Sequence, residues 1–506
     1  MGIQNPSVRR KKCLKFLGGS AVGLAGLLAV WIVGGNYIAS VHEKEIEQDL
    51  AAYAQRFPKT EPNNAALKLA ASLAKVGIGG AGASFYSVDR SIESRADFRS
   101  SEDDRKAFEE IRQELTQYLN AEISKPNDTV NPPSEKLQRY LASRQTALAE
   151  LRQQVLNNEV PHWGTDITWI VEGDVTAPLP AYLGQVNFQR VLALDILEKY
   201  RQGQTEAAAQ MLEVSWKINQ PLTESPLLIP QLVALIVAKY PAGVMRKADR
   251  LPAQWQQRLL EHDYRESIST SLQGEYLSKF KFSQDFVWKY SWSSILEASG
   301  ASSDEGILSL FQTFPREIND PPTLQEKILD WTLSHVLVWF KPAIKPYVRF
   351  CAIDTYQVYK RSLAASRQQN VCTSDSVTAK DFAWWNYIGR TSTNLPSQTS
   401  KAAKSMLDLE LTQKILQVKA LAAKTGKWPP SVPEMKSSIC PGSKWLYRVA
   451  PDGTMSISFS EKPKWLEERL KGRRGLPFTY SYGLPFIYSD KTPPQLKNRA
   501  STRPKR

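Results

Sequence analysis

Histidine, cysteine and paired serine and lysine are the residue types on this 506-residue chain best suited to chemistry. The four histidines stand at 42, 162, 262 and 335. In the body of the chain, His162-Trp-Gly-Thr-Asp166 and Glu261-His262-Asp263 each put a histidine near an acid. A histidine oriented by a carboxylate is a common general base. Neither cluster has a nucleophile beside it, and such pairs more commonly cap helices or sit on surfaces. A hydrolase would need a deep pocket that gathers His162 or His262 with an acid and a serine. The cysteines are Cys13, Cys351, Cys372 and Cys440. No Cys-x-x-Cys, HExxH or other metal spacing occurs, so no metal site is expected. No P-loop, GxGxxG or GxSxG elbow occurs either, and no cofactor is expected.

One ordered set of motifs needs weighing. Ser72-Leu-Ala-Lys75, Ser392-Thr-Asn394 and Lys424-Thr-Gly426 follow one another along the chain. Penicillin-interacting serine enzymes carry Ser-x-x-Lys, Ser-x-Asn and Lys-Thr-Gly in that order, with serine as nucleophile and lysine as a candidate base. Three features argue against that chemistry here. Ser-x-x-Lys recurs at Ser278-Lys-Phe-Lys281. Lys424-Thr-Gly426 ends a helical pattern instead of opening a strand. The gaps between the motifs are wrong for that fold. No catalytic residue is assigned.

The elements that would position a site begin with the charge map. A net charge of +14 invites a nucleic-acid reading. Most of the excess lies at the two ends, in Arg9, Arg10, Lys11, Lys12 and Lys15, and in Lys491, Lys497, Arg499, Arg503, Lys505 and Arg506. The body is nearly balanced, so a basic face for phosphates is not implied. The tail, 491–506, is expected to be disordered and suited to anionic surfaces. With 42% hydrophobic and 23% charged residues, wholesale disorder is excluded. A mean hydropathy of −0.38 excludes a multi-span membrane protein.

From Phe16 to Val41 no residue is charged. About 20 apolar residues cross a hydrocarbon core, so 16–38 reads as a transmembrane anchor into the lipid bilayer. Trp31 and Tyr37 fall where it should leave the far side. Basic residues precede it, and Glu43, Lys44, Glu45 and Glu47 follow. The positive-inside rule puts 1–15 in the cytoplasm and the bulk outside it, in the periplasm if the cell is bacterial. A cleaved signal peptide is the rival reading, but the apolar run is long and the small-x-small sites are poor. Gly19 and Gly23 form a GxxxG pair. Two other apolar stretches, Ser225–Ala238 and Trp331–Phe340, read as buried helices of a water-soluble domain. Outside the cytoplasm Cys351, Cys372 and Cys440 can form one disulfide in any of three pairings, of which Cys351–Cys372 closes the smallest loop.

The body reads as mainly α. Ile46, Leu50, Tyr53 and Phe57 share one face of a stalk ending at Pro58. Asn63 or Asn64, Ser101 and Ser134 are expected N-caps. Tyr182 to Gln220 reads as a helical hairpin stopped by Pro221. Leu324 to Phe340 is another helix. Met406 to Ala423 forms a helix ended by Gly426. Trp428-Pro-Pro-Ser-Val-Pro433 follows, then a hairpin from Trp445–Val449 and Thr454–Ser460 around Pro451-Asp-Gly453. A second β element is expected around Phe478, Tyr480 and Tyr482. The division is 39–125 for stalk and first helices, 134–400 for the helical domain and 401–490 for a small α/β module.

Gly426-Lys-Trp-Pro-Pro-x-x-Pro433 before a hairpin, Asn386-Tyr-Ile-Gly-Arg390, and Ala207–Ala209 followed by Leu227–Ala238 carry a resemblance. The chain resembles a group of uncharacterised bacterial single-pass membrane-anchored proteins with a helical extracytoplasmic domain. The C-terminal module is also similar in outline to the globular part of type II secretion pseudopilins. It departs from them in lacking a leader ending in Gly with Glu five residues beyond, and in its length. The resemblance implies an architecture and no activity. The expected function is a non-catalytic binding or scaffolding role in the cell envelope with a protein partner. An envelope hydrolase with a site assembled from distant residues is the alternative.

Overall fold

The computed structural model describes residues 6–78, 100–125, 127–173, 183–289, 324–368, 381–386, 389–390, 397–433, 435–460 and 487–490. The architecture is mainly helical, with a small antiparallel sheet near the C-terminus.

Helix α1, Pro6–Arg56, runs unbroken for 51 residues. Its segment Gly23–Arg56 is long and apolar enough to cross a membrane and is only 11% buried in its most apolar stretch. Beyond that stretch the helix enters the core: Ala39, Ile46, Leu50 and Tyr53 are all buried. The face expected for a stalk is therefore packed rather than free. Helix α2, Asn64–Lys75, is capped by the Asn63 side chain. Helices α3, Glu102–Ser124, and α4, Glu135–Asn157, are capped by Ser101 and Ser134, which satisfy otherwise unpaired first-turn amides. A short α5, Thr168–Glu172, follows.

Helices α6, Leu183–Arg201, and α7, Thr205–Glu224, form the expected hairpin around Gly203, whose φ of 74° suits glycine. The second helix passes Pro221 and ends at Glu224; the proline removes one backbone bond but is itself buried, so packing offsets that loss. Helix α8, Leu228–Met245, is the apolar stretch read as a core helix, and 83% of it is buried. It extends past Lys239 and Pro241 to Met245. Helices α9, Gln254–Arg258, and α10, Tyr264–Lys289, follow, and α10 is buried on several sides.

Helix α11, Leu324–Gln368, is far longer than the periodicity implies and continues through Pro342 and Pro346. It lies parallel to α1 and antiparallel to α10. Trp31 Nε1 donates to the Ala343 carbonyl at 2.7 Å, and Tyr356 OH to Asp49 at 2.9 Å. Glu266 pairs with Arg367 at 2.8 Å, while the rings of Tyr276 and Tyr359 stack at 3.8 Å. Gly35 permits the close approach, since a Cβ there would meet the Pro346 ring at 2.8 Å.

Helix α12, Ser397–Thr425, begins a turn before the domain boundary drawn at 401 and is shared by two cores. Ala402, Leu409 and Leu416 join the helical core. Leu407, Leu411, Ile415, Val418 and Ala422 face a second core with Trp445, Met455 and Ile457. Gly426, at φ 71°, ends the helix with its amide on the Ala422 carbonyl at 2.8 Å. Strands β1, Trp445–Val449, and β2, Met455–Phe459, pair antiparallel as expected, with Met455 and Ile457 buried. A third strand, β3, Ile487–Asp490, adds to β2. The β element expected at 478–482, Ser392-Thr-Asn394 and the tail lie outside the described residues.

Candidate functional site

The two histidine clusters resolve differently. His162 belongs to a clamp between two loops. Its backbone amide donates to Asn63 Oδ1 at 2.9 Å, and its Nδ1 accepts from the Gly164 amide at 3.1 Å. Asp166 accepts from the Thr168 amide at 2.9 Å and pairs with Lys59 at 3.1 Å. No serine joins this cluster among the described residues.

His262 does meet a serine, which its sequence neighbours do not reveal. Ser267 Oγ lies 3.0 Å from His262 Nε2, one turn into α10. Burial lowers the imidazole pKa from its ordinary value, opposed by the Asp263 charge. A buried neutral imidazole is the form that accepts a proton. Asp263 does not orient the ring. Its Oδ1 caps α10 by accepting from the Arg265 and Glu266 amides at 2.9 and 3.1 Å. The pair is thus a dyad whose nearby acid is spent as a helix cap.

The other serine–lysine motifs come apart. Ser72 Oγ donates to Gln154 at 2.8 Å, and Lys75 pairs with Glu150 of α4 at 2.7 Å. Lys424 lies on the last turn of α12, at the other core. Asn386 is buried and structural. Its Nδ2 donates to the Cys351 carbonyl at 3.1 Å, to Asp354 at 2.8 Å and to Thr355 at 3.0 Å, while its Oδ1 accepts from the Gly389 amide at 2.8 Å. Cys351 is buried and is not disulfide-bonded, so of the three possible pairings those through Cys351 are not formed. Cys440 is disulfide-bonded.

Among the described residues, a cluster of buried charge lies where α12 crosses the end of α8, and sequence reading missed it. Lys419, 2% exposed, donates to the Arg246 and Ala248 carbonyls at 2.7 and 3.1 Å and faces Asp128 at 3.7 Å. Arg246 bonds Thr412 at 2.9 Å and pairs with Asp408 at 2.5 Å. Lys247 donates to the carbonyls of Lys125 and Asn127, just past the end of α3. Burial is the main cause that lowers both lysines, Lys247 to about 7. For Lys247 the neighbouring Glu122 opposes the shift, while Arg246, Lys125 and Lys419 add to it. Beside them opens a cavity of about 420 Å³ lined by Asp249, Arg250, Leu251, Leu416, Lys419 and Lys424 among others. The lysines answer the unpaired carbonyls that end α8 and α3, where a cation also suits the helix dipole. Their donors are directed at backbone, which makes this seam a joint between the two cores. A signal existed: Lys419 falls in register with Leu409 and Leu416 on the face of α12 that enters the helical core.

No family model, curated protein or solved structure matches this chain.

Proposed function

We propose that the chain is a single-pass tethered protein whose body lies outside the cytoplasm and works by binding a protein partner in the cell envelope. The observation that carries this reading is the unbroken α1. It passes from an exposed apolar stretch into the domain core without a linker. Trp31 and Gly35, within the proposed span, contact α11, so the anchor forms part of the body's packing. That arrangement favours an uncleaved anchor over a leader, and a disulfide at Cys440 fits an oxidising compartment. The groups suited to catalysis are largely engaged in caps and carbonyl bonds, which favours binding. Protease added to sealed, outer-membrane-stripped cells should digest a C-terminal tag. Full protection of the tag, or release of the protein without its first residues, would overturn the topology.

A second reading rests on one observation, the 3.0 Å contact of Ser267 and His262. If it is a hydrolase dyad, a fluorophosphonate probe labels the full-length protein and Ser267→Ala abolishes labelling. On the binding reading neither protein is labelled.

A further inference from the structure

We propose that the amino-terminal half of α11, together with the exposed Trp384, seats the body on the same bilayer that the anchor crosses. This rests on the reading of 16–38 as a span. It revises the expectation that Trp331–Phe340 is a buried helix of a water-soluble domain.

Depth carries the argument. Ala343 touches Trp31, which precedes the end of the span at Ile38 by about two helical turns. The rings of Trp31 and Phe350 lie 6.1 Å apart, and Pro346 packs on Gly35. This part of α11 is therefore level with the last third of the span. The two helices are parallel, so moving back from Ala343 toward Leu324 leads from the exit of the span into the membrane. The helix runs about 28 Å in that direction. Continued straight, it enters hydrocarbon. Bent aside at its prolines, it lies in the headgroup region.

Two observations favour the turned, interfacial placement. Residues 23–30 of α1 are all exposed, so the span is uncovered on the membrane side of Trp31. Pro342 and Pro346 stand at that point, and proline is the usual cause of a helix bend. The sequence there suits an interfacial helix. The run Trp331-Thr-Leu-Ser-His-Val-Leu-Val-Trp-Phe340 is flanked by Glu326, Lys327 and Asp330 before it and Lys341 after it.

Trp384 adds an independent element. It is 78% exposed, and its neighbour Trp385 accepts the Tyr347 hydroxyl at 2.9 Å, one turn of α11 from Ala343. An exposed tryptophan at this level suits the headgroup belt, where its ring is half dry and half wet.

The test uses full-length protein in phosphatidylcholine–phosphatidylglycerol nanodiscs. A spin-labelled keto amino acid replaces Leu27, Leu337, Trp384 or Val449, one position per protein, and collisions with oxygen and with a water-soluble nickel chelate are compared. Positions 337 and 384 should lose nickel accessibility and retain oxygen accessibility, as Leu27 does in the span. Val449, exposed on the C-terminal hairpin, should show the reverse. Nickel accessibility at 337 and 384 like that at 449, with Leu27 protected, overturns the seating and leaves the span intact. Protection from both reagents at 337 and 384 means protein covers them, which also overturns it. Nickel accessibility at Leu27 removes the span itself.

Discussion

Glu410 ties three segments of the C-terminal module together. Fully buried on α12, it accepts from Ser437 Oγ at 2.6 Å, from the Ser438 amide and hydroxyl at 2.5 and 2.8 Å, and from Trp445 Nε1 at 2.9 Å. A buried charge is tolerated when its lone pairs are filled in this way. Glu410→Ala leaves those donors unpaired and should destabilise the module by about 3 kcal/mol. Urea unfolding followed by tryptophan fluorescence measures this. Lys247 acts in the opposite sense. Its pKa is lowered to about 7 from the ordinary 10.5, so between those values the unfolded chain binds more protons than the folded one. The cost of the buried ammonium is full below pH 7 and is relieved as pH rises toward 10.5. Thermal melts of Lys247→Met at pH 7 and pH 9 should show a smaller rise in Tm with pH than the parent does. Gly389 marks a tight contact, since a Cβ there would lie 2.6 Å from Asn386 Nδ2 and 2.7 Å from both Phe382 and Thr355. Gly389→Ala should cost about 1–3 kcal/mol by overpacking, read by the same melts.

At the scale of elements, the bond between α1 and α11 is polar as well as apolar. Arg349 pairs with Glu43 and donates to Asn36 Oδ1 at 2.8 Å, and Lys360 reaches Glu45 and Asp49 at 3.0 and 2.8 Å. The Arg349–Glu43 pair is largely buried, so removing one partner strands the other. Arg349→Ala should destabilise the full-length protein by about 3–5 kcal/mol, and the more exposed Lys360→Ala by no more than about 1 kcal/mol. Denaturant titration in detergent distinguishes them. The helices themselves were largely legible in the sequence, because a cap or a turn leaves a local mark. Ser101, Ser134 and Gly426 stand at the caps their types imply. The β1–β2 hairpin around Asp452-Gly453 was legible from strict alternation. Pro221 misled because proline's cost is set by the packing around it, which no local window contains. The partnership of Glu43 with Arg349, 306 positions apart, leaves no local mark either. Of the chemistry-bearing clusters, His262 was visible, but its contact with Ser267 needed the turn into α10.

At the scale of the molecule, α12 makes one body of what the sequence divides into a helical domain and a module. Its two faces serve two cores, and Arg246, Lys419 and Glu410 fasten it on both sides. Neither core is complete without it. Scanning calorimetry of the purified full-length protein should therefore show one cooperative transition. Two separated transitions would mean that the seam of buried charge does not couple the cores.

The rod formed by α1 has a mechanical corollary. From Ile38 to Arg56 it reaches about 27 Å beyond the proposed span, gripped along its side by α11. With no pliant joint between them, a leaning rod carries its burden with it: a change of about 10° shifts the far end by roughly 5 Å. Bilayer thickness, which governs such leaning, then steers the direction in which the distal hairpin points.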